Sequence, residues 1–268
     1  MARARQTVPD YAIGCMDRKY ITIDDGDRDA SIAIWFQTES QYFDLRIPQD
    51  RTSLRHLRSL AEYKREDLLQ IARQSGDTGV CSVTNDVATW SSCGDRFGFY
   101  CNDVAGFPDD GRLEPRGNII YEYDTPKSEF PYKEAWVQQP YDHGLIAHLK
   151  LCEERNPASE LATLVVTGRY AGYVERVTSD DESTLEDQVA AAGDDLERMR
   201  GILSCEASYA IRTRSEAPYL IRHSTLPFRE ADVLDVPVMN RRILEERKLL
   251  PSSRERAVWR VESWFVHA

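Results

Sequence analysis

The chain is short of positive charge: Lys and Arg number 34 against 45 Asp and Glu, a formal net charge of -11. Nucleic-acid binders neutralise phosphates with clustered Lys and Arg, so this balance argues against a nucleic-acid partner. The same acidity disfavours anionic membrane surfaces. Long apolar runs are missing too. No stretch approaches the ~18 residues that a membrane-spanning helix needs. The N-terminal MARARQTVPDYAIG has no apolar segment of the kind a secretory signal carries. The expected setting is therefore cytoplasmic, with no membrane partner. Cysteine is sparse and scattered, at Cys15, Cys81, Cys93, Cys101, Cys152 and Cys205, with no C-x-x-C pair. Cys93 and Cys101 flank a turn that a disulfide would close, but in a reducing compartment free, buried thiols are the expectation.

Several chemistries lack their motifs. There is no HExxH, no His/Cys set at zinc spacing, no GxGxxG, no Walker A and no GxSxG. No metal and no cofactor is expected. The Asp-rich pieces Asp24-Asp25-Gly26-Asp27 and Asp109-Asp110-Gly111 read as turns, because the remaining calcium ligands are not at the required spacing.

What is present is strand. Residues 1–18 read as an arm or an irregular first strand. Alternating, β-branched or aromatic runs follow at Tyr20–Ile23, Ala30–Gln37, Gln41–Ile47, Val80–Val83, Ala88–Ser92, Arg96–Asn102, Asn118–Tyr123, Tyr132–Gln138, Leu145–Leu151 and Leu161–Tyr173. More lie at Gly201–Arg212, Tyr219–Ser224 and Ala257–His267. The spacing of Leu54, Leu57 and Leu60, then Leu68, Leu69 and Ile71, predicts an external helix over 53–74, with a break near Tyr63 to Arg65. A second external helix is predicted over 183–200 and a third over about Val238–Leu250. No stretch has the composition of a disordered linker, so residues 1–268 read as one unit. Short strands with tight turns point to an all-β antiparallel barrel or sandwich.

Three groups of residues could carry chemistry. Tyr42, Asp44 and Arg46 alternate with Phe43, Leu45 and Ile47 on one strand, so each set shares a face. If the apolar set packs under the 53–74 helix, the polar set faces a lumen, either as a structural ion pair or as a pocket wall. Tyr132, Glu134 and Trp136 share one face of a later strand. Glu122, on the strand before, would form an acid–base pair with Glu134 if both face inward; the alternative is ordinary cross-strand packing. In the C-terminal part, Glu206, His223 and Thr225 lie on neighbouring strands, and His223 is the best histidine for proton transfer, the alternative being a structural role.

Several segments together resemble the lipocalin-like β-barrel family of the yeast Hri type. They are Trp35-x-Gln37-Thr38 with Tyr42-x-Asp44-Leu45-Arg46-x-Pro48; Trp90; Pro108-Asp109-Asp110-Gly111; Tyr132-x-Glu134-x-Trp136; Gly168-Arg169-Tyr170; Cys205-Glu206; Ser224 to Glu230; and Trp259 to Trp264. Ser204 and Ala210 depart from the family pattern, where an aspartate and a glycine are expected. The resemblance implies a lipocalin-like barrel, here of about ten or more strands with peripheral helices. Two fused barrels are the alternative, since eight strands already fill a small barrel. It also implies an internal pocket but no uniform activity. Lipocalin-like barrels include cyclases and isomerases, which sets the leading expectation: binding of a small hydrophobic or amphipathic molecule and its cyclisation or isomerisation. Arg46 would bind an oxyanion, Asp44 orient it, and Tyr42, Glu134 or His223 move a proton. Trp35, Gln37, Trp90, Tyr132, Trp136, Glu206, Thr225 and Trp264 would line the pocket. The alternatives are a non-catalytic carrier or a filled adaptor for another protein. An open cavity of roughly 300–1,000 Å³ with convergent ionisable groups would favour the enzyme.

Overall fold

A computed structural model describes residues 7–23, 31–92, 109–128, 131–140, 145–175, 184–214, 217–237 and 239–266. Its first half is a closed antiparallel barrel of eight strands in sequence order. These are β1 (Gly14–Ile23), β2 (Ser31–Gln37), β3 (Gln41–Pro48), β4 (Ser75–Thr84), β5 (Val87–Ser92), β6 (Asp109–Arg116), β7 (Ile119–Tyr123) and β8 (Tyr132–Gln138). β8 closes on β1, with a register shift between Arg18 and Tyr20. The β4–β5 hairpin turns on Asn85 and Asp86, both with positive φ (52° and 63°), as a two-residue turn matched to strand twist requires.

The second half forms a seven-stranded sheet in the order β13-β12-β11-β10-β9-β15-β14. Its strands are β9 (Leu145–Glu153), β10 (Asn156–Thr167), β11 (Tyr170–Glu175), β12 (Ala207–Ile211), β13 (Leu220–Ser224), β14 (Leu249–Pro251) and β15 (Ala257–Val266). The all-β reading with peripheral helices holds, and the strands divide between a closed ring and a separate sheet. Strands β10 to β12 lie against the outer wall of β2 to β4.

Alternation along β3 explains how the halves join. Phe43, Leu45 and Ile47 point outward and are buried with Ile34 and Phe36 against Val165, Val174, Ala207 and Tyr209 of the sheet. Burying each such side chain is worth about 1.5–3 kcal/mol. Two glycines let the walls approach. A Cβ on Gly76 would stand 2.3 Å from the Ala207 Cβ, and one on Gly172 would stand 2.6 Å from the Phe43 ring. The opposite face of the second sheet has its own core of Leu149, Leu164, Ile221, Trp259 and Val261, covered by Leu234, Leu244 and Leu250.

The helical expectations need correction in extent. Within 53–74 the α-helix is only α1 (Arg65–Ile71), preceded by a single 3-10 turn at Leu60–Glu62. The apolar stripe is real, since Leu54 is buried and Leu57 and Leu60 pack on the same core. Residues Leu54 to Ser59, however, run as an irregular strap, and the helix starts only where the Lys64 N–H donates to the Asp67 carboxylate at 3.0 Å. The expected helix over 183–200 is two, α2 (Leu185–Ala191) and α3 (Leu196–Ile202), broken at Gly193 with φ 63°. Asp195 restarts the turn by accepting from the Arg198 N–H. The third helix shrinks to α4 (Arg241–Glu246). The run Leu161–Tyr173 is not one strand but the β10–β11 hairpin, turned at Gly168 with φ 63°. Of residues 1–18, Gly14 onward takes the irregular-strand alternative and not the arm, forming the start of β1 with its register shift between Arg18 and Tyr20. The expected strand Arg96–Asn102, the Cys93–Cys101 pair and the Asp24–Asp27 turn lie outside the described residues. Cys15, Cys81, Cys152 and Cys205 are free and buried.

Candidate functional site

The polar row of β3 does face the barrel lumen. Asp44 lies opposite Trp35, Tyr42 opposite Gln37 and Arg46 opposite Ala33. Trp35, Tyr42 and Ala33 belong to one buried cluster with Met16, Trp90, Leu113, Ile120 and Trp136, which fills the middle of the barrel. Trp35 meets Trp90 and Trp136 edge-on, with centroids 5.7 Å apart in both pairs. The Trp35 indole N–H donates to the Gln37 amide oxygen at 3.2 Å, and the Gln37 amide donates to the carbonyls of Thr38 and Gln41.

Glu134 and Glu122 also turn inward, as directly opposed residues of β8 and β7. Glu122 accepts from the Tyr132 hydroxyl at 2.8 Å and from the Trp136 indole at 2.9 Å. Glu134 is only 2% exposed. Its Oε1 accepts from the Arg18 guanidinium at 2.8 Å, with Arg46 at 3.8 Å, while its Oε2 has no hydrogen-bond partner. Arg46 also pairs with Asp44 at 3.0 Å, and the Tyr42 hydroxyl donates to Asp77 rather than to Asp44. Asp44, Arg46, Glu134 and Arg18 are therefore linked in a chain of ion pairs, while Tyr42 is tied to Asp77 instead.

The other expected site residues stand elsewhere. Glu206 lies just before β12 of the second sheet and is engaged by the Ser208 hydroxyl at 2.6 Å and by Arg229 at 3.0 Å. Burial raises its carboxyl above the ordinary range. The Thr225 hydroxyl accepts from the Ala207 N–H at 2.8 Å, a structural tie between β12 and the end of β13. Trp264 packs on the second sheet's own core. His148 is buried, and desolvation pushes it down to about 3, so it is neutral. His223 faces the barrel, and its ring lies nearly parallel to Tyr209, with centroids 6.1 Å apart and planes at 14°.

His223 opens onto a cavity of about 570 Å³ between the outer wall of the barrel and the second sheet. The barrel supplies Asp17, which points outward from β1 as its neighbour Met16 points in. The sheet supplies Tyr170, Tyr209 and His223 from three adjacent strands. Tyr170 and Tyr209 are stacked at 22°, so the three rings tile one wall. Three arginines converge on the same space: Arg55 from the irregular strap, Arg169 from the β10–β11 turn and Arg222 from the edge strand. Glu230 lies at the rim, where one oxygen binds Arg51 at 2.5 Å and the other binds Arg55.

Electrostatics single out Asp17. Burial raises its carboxyl from 3.8 to about 6, and its Oδ1 is buried without a hydrogen-bond partner. The hydroxyl of Tyr209 contacts the Cys15 thiol, and burial lifts both groups well above their usual values. Burial lowers His223, keeping it neutral near pH 7. An accessible carboxyl poised near neutrality, facing rings and guanidinium groups, suits proton transfer and charge stabilisation. Among the described residues no cluster has the makings of a metal site.

Of this constellation only His223 is a catalytic candidate on sequence grounds. Arg169 and Tyr170 were visible in the Gly168-Arg169-Tyr170 segment, but nothing local marked them as cavity residues. Asp17 lies at the end of residues 1–18, whose sequence reads as an arm or an irregular first strand and marks no face.

No protein-family model matches the chain, and no curated protein matches it. Among solved structures the chain is similar to the uncharacterized protein YLR301w from Saccharomyces cerevisiae. The TM-score is 0.54 at 9% sequence identity, covering 94% of this chain and 98% of that one. At that identity the likeness establishes a shared fold along nearly the whole chain and carries no correspondence of site residues.

Proposed function

We propose that the protein binds a small organic molecule in the cavity between barrel and sheet and isomerises or cyclises it by proton transfer. The observation that carries this reading is a cavity of about 570 Å³ on which Asp17, His223, Tyr209 and the arginines converge. That volume lies in the range of small-molecule sites. Near pH 7 the Asp17 carboxylate takes a proton from the bound molecule, and Arg169 or Arg222 stabilises the anion that forms. Return of a proton from the Asp17 carboxyl, which exchanges with solvent, to a different atom gives the isomer, so atoms and charge balance without a further reactant. The lipocalin-like resemblance, with its cyclases and isomerases, is part of the same proposal.

Native mass spectrometry of freshly isolated protein tests it. A co-purifying small molecule should be retained by the wild type and lost from Leu220→Trp, which places an indole in the cavity. In D2O, the wild type should exchange deuterium into that molecule and Asp17→Asn should not. Retention by Leu220→Trp would refute the location, and exchange by Asp17→Asn would refute the mechanism.

A second reading keeps the ligand in the lumen. It is favoured by the unpartnered Oε2 of buried Glu134 and by Arg46, whose side chain is 38% exposed. In that case Arg46→Ala and Glu134→Gln, rather than Leu220→Trp, would release the co-purified molecule.

A further inference from the structure

Resting on the cavity reading above, we propose that the cavity takes an uncharged, flat, conjugated molecule with a hydroxyl or N–H at one end and a carbonyl at the other, the donor bound by Asp17 and the carbonyl by Arg222.

Three observations lead there. The first is charge balance. The charged groups lining the cavity are Arg55, Arg169 and Arg222 and, against them, Asp17 and Glu230. Glu230 is engaged on both oxygens, by Arg51 and by Arg55, and Arg169 has an interaction of its own. Asp17 and Arg222 remain, neither with an ion pair among the described residues. One negative and one positive group cancel, so together they offer no net attraction to an ion. A singly charged ligand would give up its hydration to meet one opposite and one like charge. An uncharged molecule with a dipole along its length gives up less and satisfies both groups.

The second is where those two groups stand. Asp17 projects from β1 on the barrel and Arg222 from β13 on the sheet, so they belong to opposite jaws of the cavity. The Asp17 Oδ1 is buried with no donor, which leaves Oδ2 as the oxygen a ligand reaches. A carboxylate can only accept and a guanidinium can only donate. A molecule bridging the jaws must therefore give a donor to the barrel and an acceptor to the sheet.

The third is the wall between them. Tyr170, Tyr209 and His223 present nearly parallel rings from β11, β12 and β13. Both tyrosine hydroxyls are turned to the barrel: Tyr170 donates to the Pro140 carbonyl at 3.2 Å, and Tyr209 meets the Cys15 thiol. The tyrosines thus offer a ligand ring surface rather than hydrogen bonds, and Ile211, Leu220 and Ala231 complete the apolar lining. Such a wall fits a flat body whose polar atoms sit only at its two ends. Conjugation also links those ends. When Asp17 takes the proton, the electron pair left behind moves through the π-system onto the carbonyl oxygen beside Arg222. One bond to hydrogen breaks, one forms on the carboxylate, and the total charge is unchanged.

Four fluorescent probes titrated against the full-length protein separate these elements: 6-hydroxy-2-acetonaphthone, its 6-methoxy ether, 2-naphthol and 6-hydroxy-2-naphthoate. The hydroxy ketone should bind tightest, and loss of its donor or of its carbonyl should weaken binding about tenfold. The naphthoate, an anion, should bind no tighter than the hydroxy ketone. Asp17→Leu should weaken the hydroxy ketone about tenfold and should not weaken the methoxy ether. Arg222→Met, at an exposed position, should weaken both ketones about tenfold and leave 2-naphthol unchanged. A naphthoate that binds tenfold tighter than the hydroxy ketone overturns the ligand class. So does an ether that binds as well as the hydroxy ketone; if Leu220→Trp abolishes both, the cavity reading stands. If no probe binds while Leu220→Trp still releases a co-purified molecule, the class alone is again overturned. If neither a probe nor a co-purified molecule occupies the cavity, both proposals fall.

Discussion

Replacing Asp17 by Asn should stabilise the protein near neutral pH. The carboxyl titrates near 3.8 when unfolded and at about 6 when folded, because burial disfavours its charge. Between those values the folded chain keeps a proton that the unfolded chain has released. Stability therefore falls as pH rises through that window, and the loss is complete above about 6. Two pKa units correspond to about 3 kcal/mol. Asp17 is partly exposed, so solvent screening reduces the expected effect to about 1–2 kcal/mol. Nearby groups do not reverse the sign. Cys15 on the same strand and Tyr209 opposite it are both raised, and so remain neutral over this range. Asparagine has the same shape and no charge to desolvate. The assay is urea unfolding of wild type and Asp17→Asn at half-unit steps from pH 4 to pH 8. Taking the difference between the two proteins cancels every other carboxylate. At pH 4 the difference should be small, and it should grow in favour of the variant until about pH 6.5. A variant less stable than wild type at pH 7.5, or a difference that does not change with pH, would refute the reasoning.

Other perturbations test the frame. Gly76→Ala puts a methyl 2.3 Å from the Ala207 Cβ; both atoms are fixed to backbone, so a loss of about 1–3 kcal/mol in chemical unfolding is expected. Glu230→Ala leaves Arg51 without its carboxylate partner at a buried site; unfolding free energy should drop by about 3 kcal/mol, and an unchanged urea midpoint would contradict the assignment. Trp136→Phe removes the indole donor to Glu122 and should cost about 1–3 kcal/mol by calorimetry. His148 is held neutral, its value lowered from 6.5 to about 3. Below 6.5 the unfolded chain takes up a proton that the folded chain refuses, so stability falls with acid down to about 3. His148→Gln should unfold less steeply between pH 6 and pH 4 than the wild type.

How legible this was depended on sequence distance. The inward row of Tyr42, Asp44 and Arg46 could be read because strand alternation is local and Phe43, Leu45 and Ile47 had to be buried together. The facing pair Glu122 and Glu134 followed from the same rule applied to adjacent strands. The stripe over 53–74 announced burial correctly but not conformation. Leucines at helical spacing also serve a strap tied down by Arg51 and Arg55, and no local signal separates the two cases. Asp17 was missed for a different reason. The irregularity between Arg18 and Tyr20 breaks the alternation that would have marked β1. The cavity joins that strand to β13 near the other end of the chain, a juxtaposition only the tertiary fold creates.

The placement of the cavity follows from how the two sheets meet. Tyr209 pairs across the strands with Gly172, and Gly172 is where the sheet presses closest to Phe43. Phe36, on the barrel, packs edge-on against Tyr209 and Tyr170, with centroids 5.5 and 6.5 Å apart. The rings on the cavity wall are thus braced by a close approach of the two walls at the seam. A tryptophan-filled barrel makes the opposing wall equally firm, since close-packed interiors yield little. Asp17 projects from that firm wall and His223 from the braced one, so their separation is set by the seam and not by any loop. A site whose groups sit on rigid elements holds its geometry without paying for order on binding. On this view the packed lumen and the open seam are complementary: filling the barrel with Trp35, Trp90 and Trp136 is what lets its outer surface serve as one jaw of a pocket.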